Sequence, residues 1–396
     1  MRGEMIYLDN AATSWPKPES VYRVADRVLR EEAGNPGRSG HALSLAAGRR
    51  VEETRLLLAE LFNIPKPDRL VFTLNATDAL NLAIKGLTLG EFSTGRGAHV
   101  VTSSMEHNSV IRPLEALRVY GVECTKVAVC PVNGADPDDV RNAIRKNTRL
   151  VVWNHVSNVC GTVNPVAEIG AICRERNIPF LVDAAQSAGS IPIDVRAMGI
   201  DLLAFPGHKG LFGPQGTGGL YVGEGVDLLP LREGGTGSRS EDSAQPSELP
   251  DRYESGTMNV AGIAALGEGV RFLLEHGLEK VGNRKAALAN RLVAGLSGTR
   301  LHGPSGGLGV VSVSVDGLAP AEAALVLENT FGIAVRPGLH CSPDAHRTLG
   351  TLDSGGTLRI GIGYLNTEDD IDRCVEALAA LSGSLSGSLS GSVPVC

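Results

Sequence analysis

The strongest constraint on how this chain folds is an alternation in its first 250 residues. From about residue 20 to residue 250, short and nearly continuous apolar runs alternate with amphipathic stretches. The runs are "RLVF" (69–72), "AHVVTS" (98–103), "TRLVVWNHV" (148–156), "PFLVDAA" (179–185) and "DLLAF" (201–205). Between them lie "TDALNLAIKGL" (77–87), "SVIRPLEALRVYG" (109–121), "DPDDVRNAIRK" (136–146) and "PVAEIGAICRERN" (165–177). A strand that is apolar on both faces must be covered on both, and a helix after each strand supplies cover and crossover together. The pattern predicts an α/β fold with a largely parallel sheet. Ligand sites in such sheets lie beyond the carboxyl ends of the strands, where several polar clusters of this chain fall.

From about residue 257 the texture changes. A long helical pattern runs through "NVAGIAALGEGVRFLLEHGLEKVGNRKAALANRLVAGL". Strand candidates "GVVSVSV" (309–315) and "GTLRIGIG" (356–363) follow, then a last helix, "TEDDIDRCVEALAAL" (367–381), whose Thr367 and Asp370 have capping-box spacing. This half reads as a smaller α+β domain. The 396 residues suffice for two cores.

Charge and composition exclude several function classes. The net charge of −7 and the absence of a basic run argue against nucleic acid or an anionic membrane as partner. The N-terminal segment has no apolar h-region, and no run of eighteen apolar residues exists, so neither a signal peptide nor a membrane span is expected and the setting reads as cytoplasmic. The 7 cysteines (124, 130, 160, 173, 341, 374 and 396) are odd in number, with no Cys-x-x-Cys pair. That argues against a disulfide framework and against a structural metal site.

The most informative stretch is "FPGHKGLFGPQGTGGLYV" (205–222), in which Lys209 sits between an apolar strand and a glycine-rich turn. A surface lysine in a loop is the plain reading. The chemical one is a Schiff-base lysine, whose amine needs burial or neighbouring cations to lower its pKa. The stretch "LVDAAQSAG" (181–189) adds Asp183 at a strand end. Asp183 suits a helix N-cap. It also suits a carboxylate partner for the pyridine nitrogen of pyridoxal 5'-phosphate (PLP). An aspartate and a lysine, each just after a strand, favour the second reading.

Nine ordered motifs carry a family resemblance. They are "YLDNAAT" (7–13), "NATDALN" (75–81), "EHNS" (106–109), "SNVCGT" (157–162), "DAAQSAG" (183–189), "GHKGLFGPQGTGGLY" (207–221), "ESGTMN" (254–259), "RPGLHCSP" (336–343) and "LRIGIGYLNTEDDID" (358–372). Over nearly all of residues 5–380 the chain resembles cysteine desulfurases, which belong to the class V aminotransferase superfamily of fold-type I PLP enzymes. The resemblance implies a large domain (15–256) around a mostly parallel seven-stranded sheet. It also implies a smaller α+β domain (1–14 and 257–380).

It further implies residue roles. Lys209 would hold PLP as a Schiff base and move the α-proton, Asp183 would hold the pyridine nitrogen, and Gln186 the ring oxygen. His107 would stack on the ring. Ala76 and Thr77 would bind the phosphate at a helix N-terminus, with His208 as a further donor. Thr257 would reach the phosphate from a second subunit, implying a homodimer. Pro206 departs from the family pattern, because many relatives carry a serine phosphate donor there. Arg359 would bind the substrate carboxylate bidentately, assisted by Asn158. His41 would lie on the substrate side, and Arg336 would brace the loop of Cys341. Cys341 would attack the substrate sulfur and carry it as a persulfide, leaving alanine. The short Cys341–Arg359 segment resembles the SufS-like group, which relies on a sulfur-acceptor protein. Selenocysteine lyase and cysteine C–S lyase activities use the same parts and stay open at this point.

The chain ends "LSGSLSGSLSGSVPVC" (381–396), which has the composition of a flexible linker with Cys396 as its last residue. About fifteen such residues span ~20 Å r.m.s. and roughly 50 Å fully extended. Cys396 is therefore a candidate sulfur relay from Cys341, alongside the plainer reading of an incidental terminal thiol.

Overall fold

The structure is a computed structural model and describes residues 5–32, 34–37, 39–92 and 97–383. A seven-stranded sheet forms the centre, in the order Leu70–Thr73, Gly218–Val222, Leu202–Pro206, Phe180–Asp183, Thr148–Asn154, His99–Ser103, Glu123–Val127. Only Gly218–Val222 runs against the rest, pairing antiparallel with both neighbours. The other pairings are parallel. The alternation read from the sequence thus becomes a doubly covered sheet. One apolar cluster holds Val151, Trp153, Val182 and Phe205. Another holds Leu150, Val152, Leu181 and Ala204 from the same strands. Successive side chains point to opposite faces, so each strand feeds both layers.

In this sheet two expected strands are offset by one residue, and two others leave no clear mark in the sequence. Glu123–Val127 is an edge strand, mostly polar and with only Val127 buried. Gly218–Val222 hid inside the glycine-rich turn that follows Lys209. The long helical pattern after 257 is two helices, Val260–His276 and Leu278–Gly295, broken at Gly277 with its φ of 82°. The first of them packs with helices Glu19–Glu31 and Ala42–Leu61 and shares the apolar cluster of the central sheet. In the second, Leu278–Gly295, Val281 still belongs to that cluster, whereas Leu288, Ala289 and Leu292 belong to another.

The second core lies between a four-stranded antiparallel sheet and helices Leu278–Gly295, Pro320–Phe331 and Glu368–Gly383. Its sheet order is Arg336–Gly338, Thr357–Gly361, Val310–Val315, Thr299–His302. The N-terminal strand Ile6–Tyr7 pairs in parallel with Ile333–Ala334, which ties the start of the chain to this unit. The last helix runs through Leu381, Ser382 and Gly383, three residues into the segment expected as tail, and Leu381 is buried. Cys396 lies outside the described residues. No helix among the described residues is long and apolar enough to cross a membrane.

Candidate active site

A cavity of about 210 Å³ opens at the carboxyl edge of the large sheet, where the second unit meets it. Each strand delivers its next few residues there. After Leu70–Thr73, Asn75 caps the helix Ala76–Phe92 by accepting the Asp78 N–H at 2.9 Å. Ala76 and Thr77 of that first turn line the cavity, and the N–H groups at a helix N-terminus suit an anion. After His99–Ser103, His107 caps the helix Asn108–Leu117, its Nδ1 accepting the Ser109 N–H at 3.1 Å. Asp183 ends its strand and accepts the Ala185 N–H at 2.8 Å. Gln186, in the turn beyond, donates to the Ala11 carbonyl at 3.0 Å.

His208 and Lys209 follow the strand Leu202–Pro206. Gly207 and Gly210 flank them because there is no room for a side chain. A Cβ on Gly207 would strike Thr217, and one on Gly210 would strike the Ala188 carbonyl. The His208 carbonyl accepts from Thr13 Oγ1 and from the Ser14 N–H, both at 3.0 Å, which fixes the turn.

The electrostatics are those of a desolvated, cation-rich pocket. Burial and the nearby Arg359 push the Lys209 amine down to about 8, against the opposing pull of Asp183. Burial lowers His107 to about 4, helped by Lys209, Arg336 and Arg359, and His208 falls to about 4 for similar reasons. Both imidazoles are neutral at pH 7. Burial raises the Asp183 carboxyl, while the Ala185 N–H and Lys209 act against it.

Arg359 is almost fully buried. It donates to Asp9 Oδ1 at 3.0 Å and to the Asn158 carbonyl at 2.9 Å, and its Nε has no partner. Asp9, in "YLDNAAT", has no distinctive sequence signal. It is a lone acid after a short strand, and only the fold shows that it neutralises Arg359. Asn75 and Asn154 also line the cavity, and the sequence does not single them out. Glu106 is fully buried and pushed up to about 8, chiefly by burial, with the charge of Asp183 adding to it.

Cys341 sits at the rim. Of the free cysteines among the described residues, it alone is exposed. Burial pushes the thiols of Cys124, Cys173 and Cys374 up to about 11, 12 and 12. Cys160 is buried against Ser157 and Thr162. His340 and Cys341 both have left-handed backbone, with φ of 49° and 60°. At non-glycine residues this costs on the order of 1–2 kcal/mol each, so the turn must be held from outside. Asn158 Nδ2 donates to the His340 carbonyl at 2.7 Å, and the Asn108 N–H donates to the Cys341 carbonyl at 2.7 Å. Ser342 Oγ donates to Asn158 Oδ1 at 2.9 Å. Arg336 Nη2 lies 3.8 Å from the Cys341 sulfur. Arg336 and Arg359 are directly paired across adjacent strands, so one register places both.

Thus Ala76, Thr77, His107, Asn158, Asp183, Gln186, Pro206, His208, Lys209, Arg336 and Arg359 border one cavity, with Cys341 beside it. Within one chain, Thr257 and His41 do not join them. Thr257 is exposed in a separate depression with Arg232 and Met258. His41 is exposed and caps the helix Ala42–Leu61 by accepting the Ser44 N–H at 3.2 Å.

The pattern describing aminotransferase class V matches residues 6–374. The chain belongs to the class V aminotransferase family. A probable cysteine desulfurase of Methanothermobacter thermautotrophicus is 36% identical over 96% of this chain and 95% of that protein. The cysteine desulfurase IscS of Dictyoglomus turgidum is 30% identical over 94% and 93%. Among solved structures, a cysteine desulfurase from Thermococcus onnurineus, in its apo form, superposes with a TM-score of 0.88 at 32% identity, covering 96% of this chain and 95% of that one. The Escherichia coli cysteine desulfurase CsdA superposes with a TM-score of 0.85 at 27% identity, with the same coverage.

The cavity fits the PLP that this family uses. His208 Nδ1 is buried without a partner, a helix N-terminus faces the space, and a buried carboxylate and a depressed amine border it. Among the described residues no cluster of three or more His, Cys, Asp or Glu could hold a metal ion.

Proposed function

We propose that the protein is a PLP-dependent cysteine desulfurase that converts L-cysteine to L-alanine and takes up the sulfur as a persulfide on Cys341. One observation carries the reading. The only exposed free thiol among the described residues stands on a strained turn beside the cavity that holds Lys209, Asp183 and Arg359.

Bound PLP supplies an electron sink for the substrate's α-carbon. Asp183 would hold its pyridine nitrogen, Gln186 its ring oxygen and His107 its face. Ala76, Thr77 and His208 would hold its phosphate; Pro206 contributes no N–H. Lys209, with an amine that loses its proton near pH 8, holds and returns the α-proton. Arg359 binds the substrate carboxylate with its planar fork, and Asn158 steadies both that arginine and the cysteine turn. The Cys341 thiolate attacks the substrate sulfur, a new S–S bond forms, and the Cβ–S bond breaks. The pair left on Cβ takes a proton and becomes the methyl group of alanine.

Because Thr257 lies outside the cavity of its own chain, its phosphate role requires a homodimer in which it enters the partner's cavity. His41 would enter in the same way. The short segment after Cys341 is filled by the helix Pro343–Leu349. That compact arrangement supports the SufS-like reading, with an acceptor protein collecting sulfur from the exposed persulfide in the cytoplasm.

Product identification tests the reading. L-cysteine should yield alanine with the wild type, and Cys341→Ala should stop this while keeping the cofactor's absorbance. Pyruvate in place of alanine would make the protein a C–S lyase. Full-rate sulfide release by Cys341→Ala would end the persulfide mechanism.

A further inference from the structure

Beneath the Cys341 turn lie two imidazoles that the reaction does not use. His340 and His346 are both buried, with ring centres 5.4 Å apart. A directional chain of hydroxyls fixes the His340 tautomer. Ser312 Oγ donates to the Val159 carbonyl at 2.5 Å, and Thr357 Oγ1 donates to Ser312 Oγ at 3.0 Å. The Thr357 proton is thereby committed, so Thr357 Oγ1 accepts from His340 Nε2–H, 3.1 Å away. His340 Nδ1 is left as a buried acceptor without a partner.

His346 mirrors it. It sits on the helix Pro343–Leu349, and its Nδ1 lies 2.7 Å from Thr351 Oγ1. Its Nε2 is buried without a well-aligned partner. The Leu339 carbonyl is near enough to favour the protonated imidazole, although burial dominates and lowers it to about 4. The arrangement that satisfies most groups has the Thr351 hydroxyl donating to Nδ1 and an Nε2–H directed at the turn. That same Leu339 carbonyl accepts the Ser342 N–H at 2.9 Å, closing the turn around His340 and Cys341.

We propose that His346 is a positioning residue for the nucleophile: with Thr351 behind it and the Leu339 carbonyl and His340 ring before it, it locks the left-handed His340–Cys341 turn from below. The inference rests on the desulfurase reading for its effect on turnover. Two left-handed non-glycine residues in succession relax unless the surroundings over-determine them. The upper side of the turn is held by Asn158 and Asn108. The two imidazoles and Thr357 pack against it as well. Losing that support moves the sulfur from its place beside Arg336 while leaving the PLP and carboxylate sites intact.

The test compares holoenzyme with His346→Leu, His346→Gln and Thr351→Val. Leucine removes both ring nitrogens, glutamine restores an amide N–H at the same reach, and valine removes only the hydroxyl that orients the ring. In His346→Leu, kcat should fall at least about 10-fold with the cysteine KM within about twofold, since a misplaced nucleophile loses transition-state rather than ground-state interactions. His346→Gln should recover to within about threefold of wild type, and Thr351→Val should lose about three- to tenfold in kcat. The second readout is iodoacetamide alkylation of Cys341, which needs no turnover. Cys341 is already exposed, so a loosened turn gains no access. Alkylation should change at least about threefold in His346→Leu and Thr351→Val as the relaxed turn displaces the sulfur. Wild-type kcat and alkylation in folded Thr351→Val would overturn the proposal even if His346→Leu failed to fold. A wild type that makes no alanine would refute the desulfurase reading, and the alkylation arm would still decide the role of His346.

Discussion

Replacing Glu106 by glutamine should remove a pH dependence of stability that the fold builds in. Glu106 is fully buried. Its Oε1 accepts from Ser103 Oγ at 2.5 Å and from the Asn154 N–H at 3.0 Å, and its Oε2 has no partner. Burial raises its carboxyl from 4.5 to about 8, and the charge on Asp183 adds to the rise. Across that interval the folded protein keeps a proton that the unfolded chain has released. Stability therefore falls as pH rises through the window, by up to ~1.4 kcal/mol per pH unit and about 4–5 kcal/mol in all. Glutamine keeps the oxygen that accepts both hydrogen bonds and cannot ionise. Urea midpoints of wild type and Glu106→Gln, measured at intervals from pH 5 to pH 8, isolate this proton, because every other titrating group is common to both. The variant should gain on the wild type steadily with pH. Parallel curves would refute the assignment of a neutral Glu106 beneath Asp183.

Three other substitutions test separate parts of the site. Arg359→Lys keeps the charge but loses the planar fork, so the apparent KM for cysteine should rise about 10- to 100-fold in steady-state assays. Asp9→Asn leaves the buried Arg359 without its counter-charge. Because Asp9 is itself partly exposed, the loss should sit at the low end for a broken buried pair, roughly 3 kcal/mol in denaturant unfolding. Cys396→Ser should slow discharge of the persulfide to acceptors without changing its formation on Cys341 in rapid-quench single turnovers; unchanged discharge would remove Cys396 as a relay.

Much of the fold was legible because burial leaves a direct mark on sequence. The runs ending at Asp183 and Pro206 are apolar on both faces, which only a covered sheet tolerates. Glu123–Val127 was not legible because an edge strand needs no such run. The helices Glu19–Glu31 and Ala42–Leu61 were missed as well. The latter mixes Arg55 into its buried face, where it pairs with Glu254 at 2.9 Å across the fold. At the site, Lys209 and Asp183 were found because their chemistry demands those residue types after a strand, and Cys341 because "RPGLHCSP" carries the family resemblance. Asp9, Glu106 and His346 were not found. Each acts through another residue, and what defines it is a partner distant in sequence or a neighbour's charge. Thr257 and His41 show the opposite limit. The family resemblance names them, but one chain does not bring them to the cavity, so their roles depend on a second copy.

The central claim is that Cys341 takes the sulfur. Mass spectrometry of the holoenzyme after a brief pulse of L-cysteine, with no acceptor present, tests it most directly. The account predicts one added sulfur atom on the peptide containing Cys341, formed together with alanine and absent from Lys209→Ala. Alanine released with Cys341 left unmodified, or the added sulfur only on other cysteines, would contradict it.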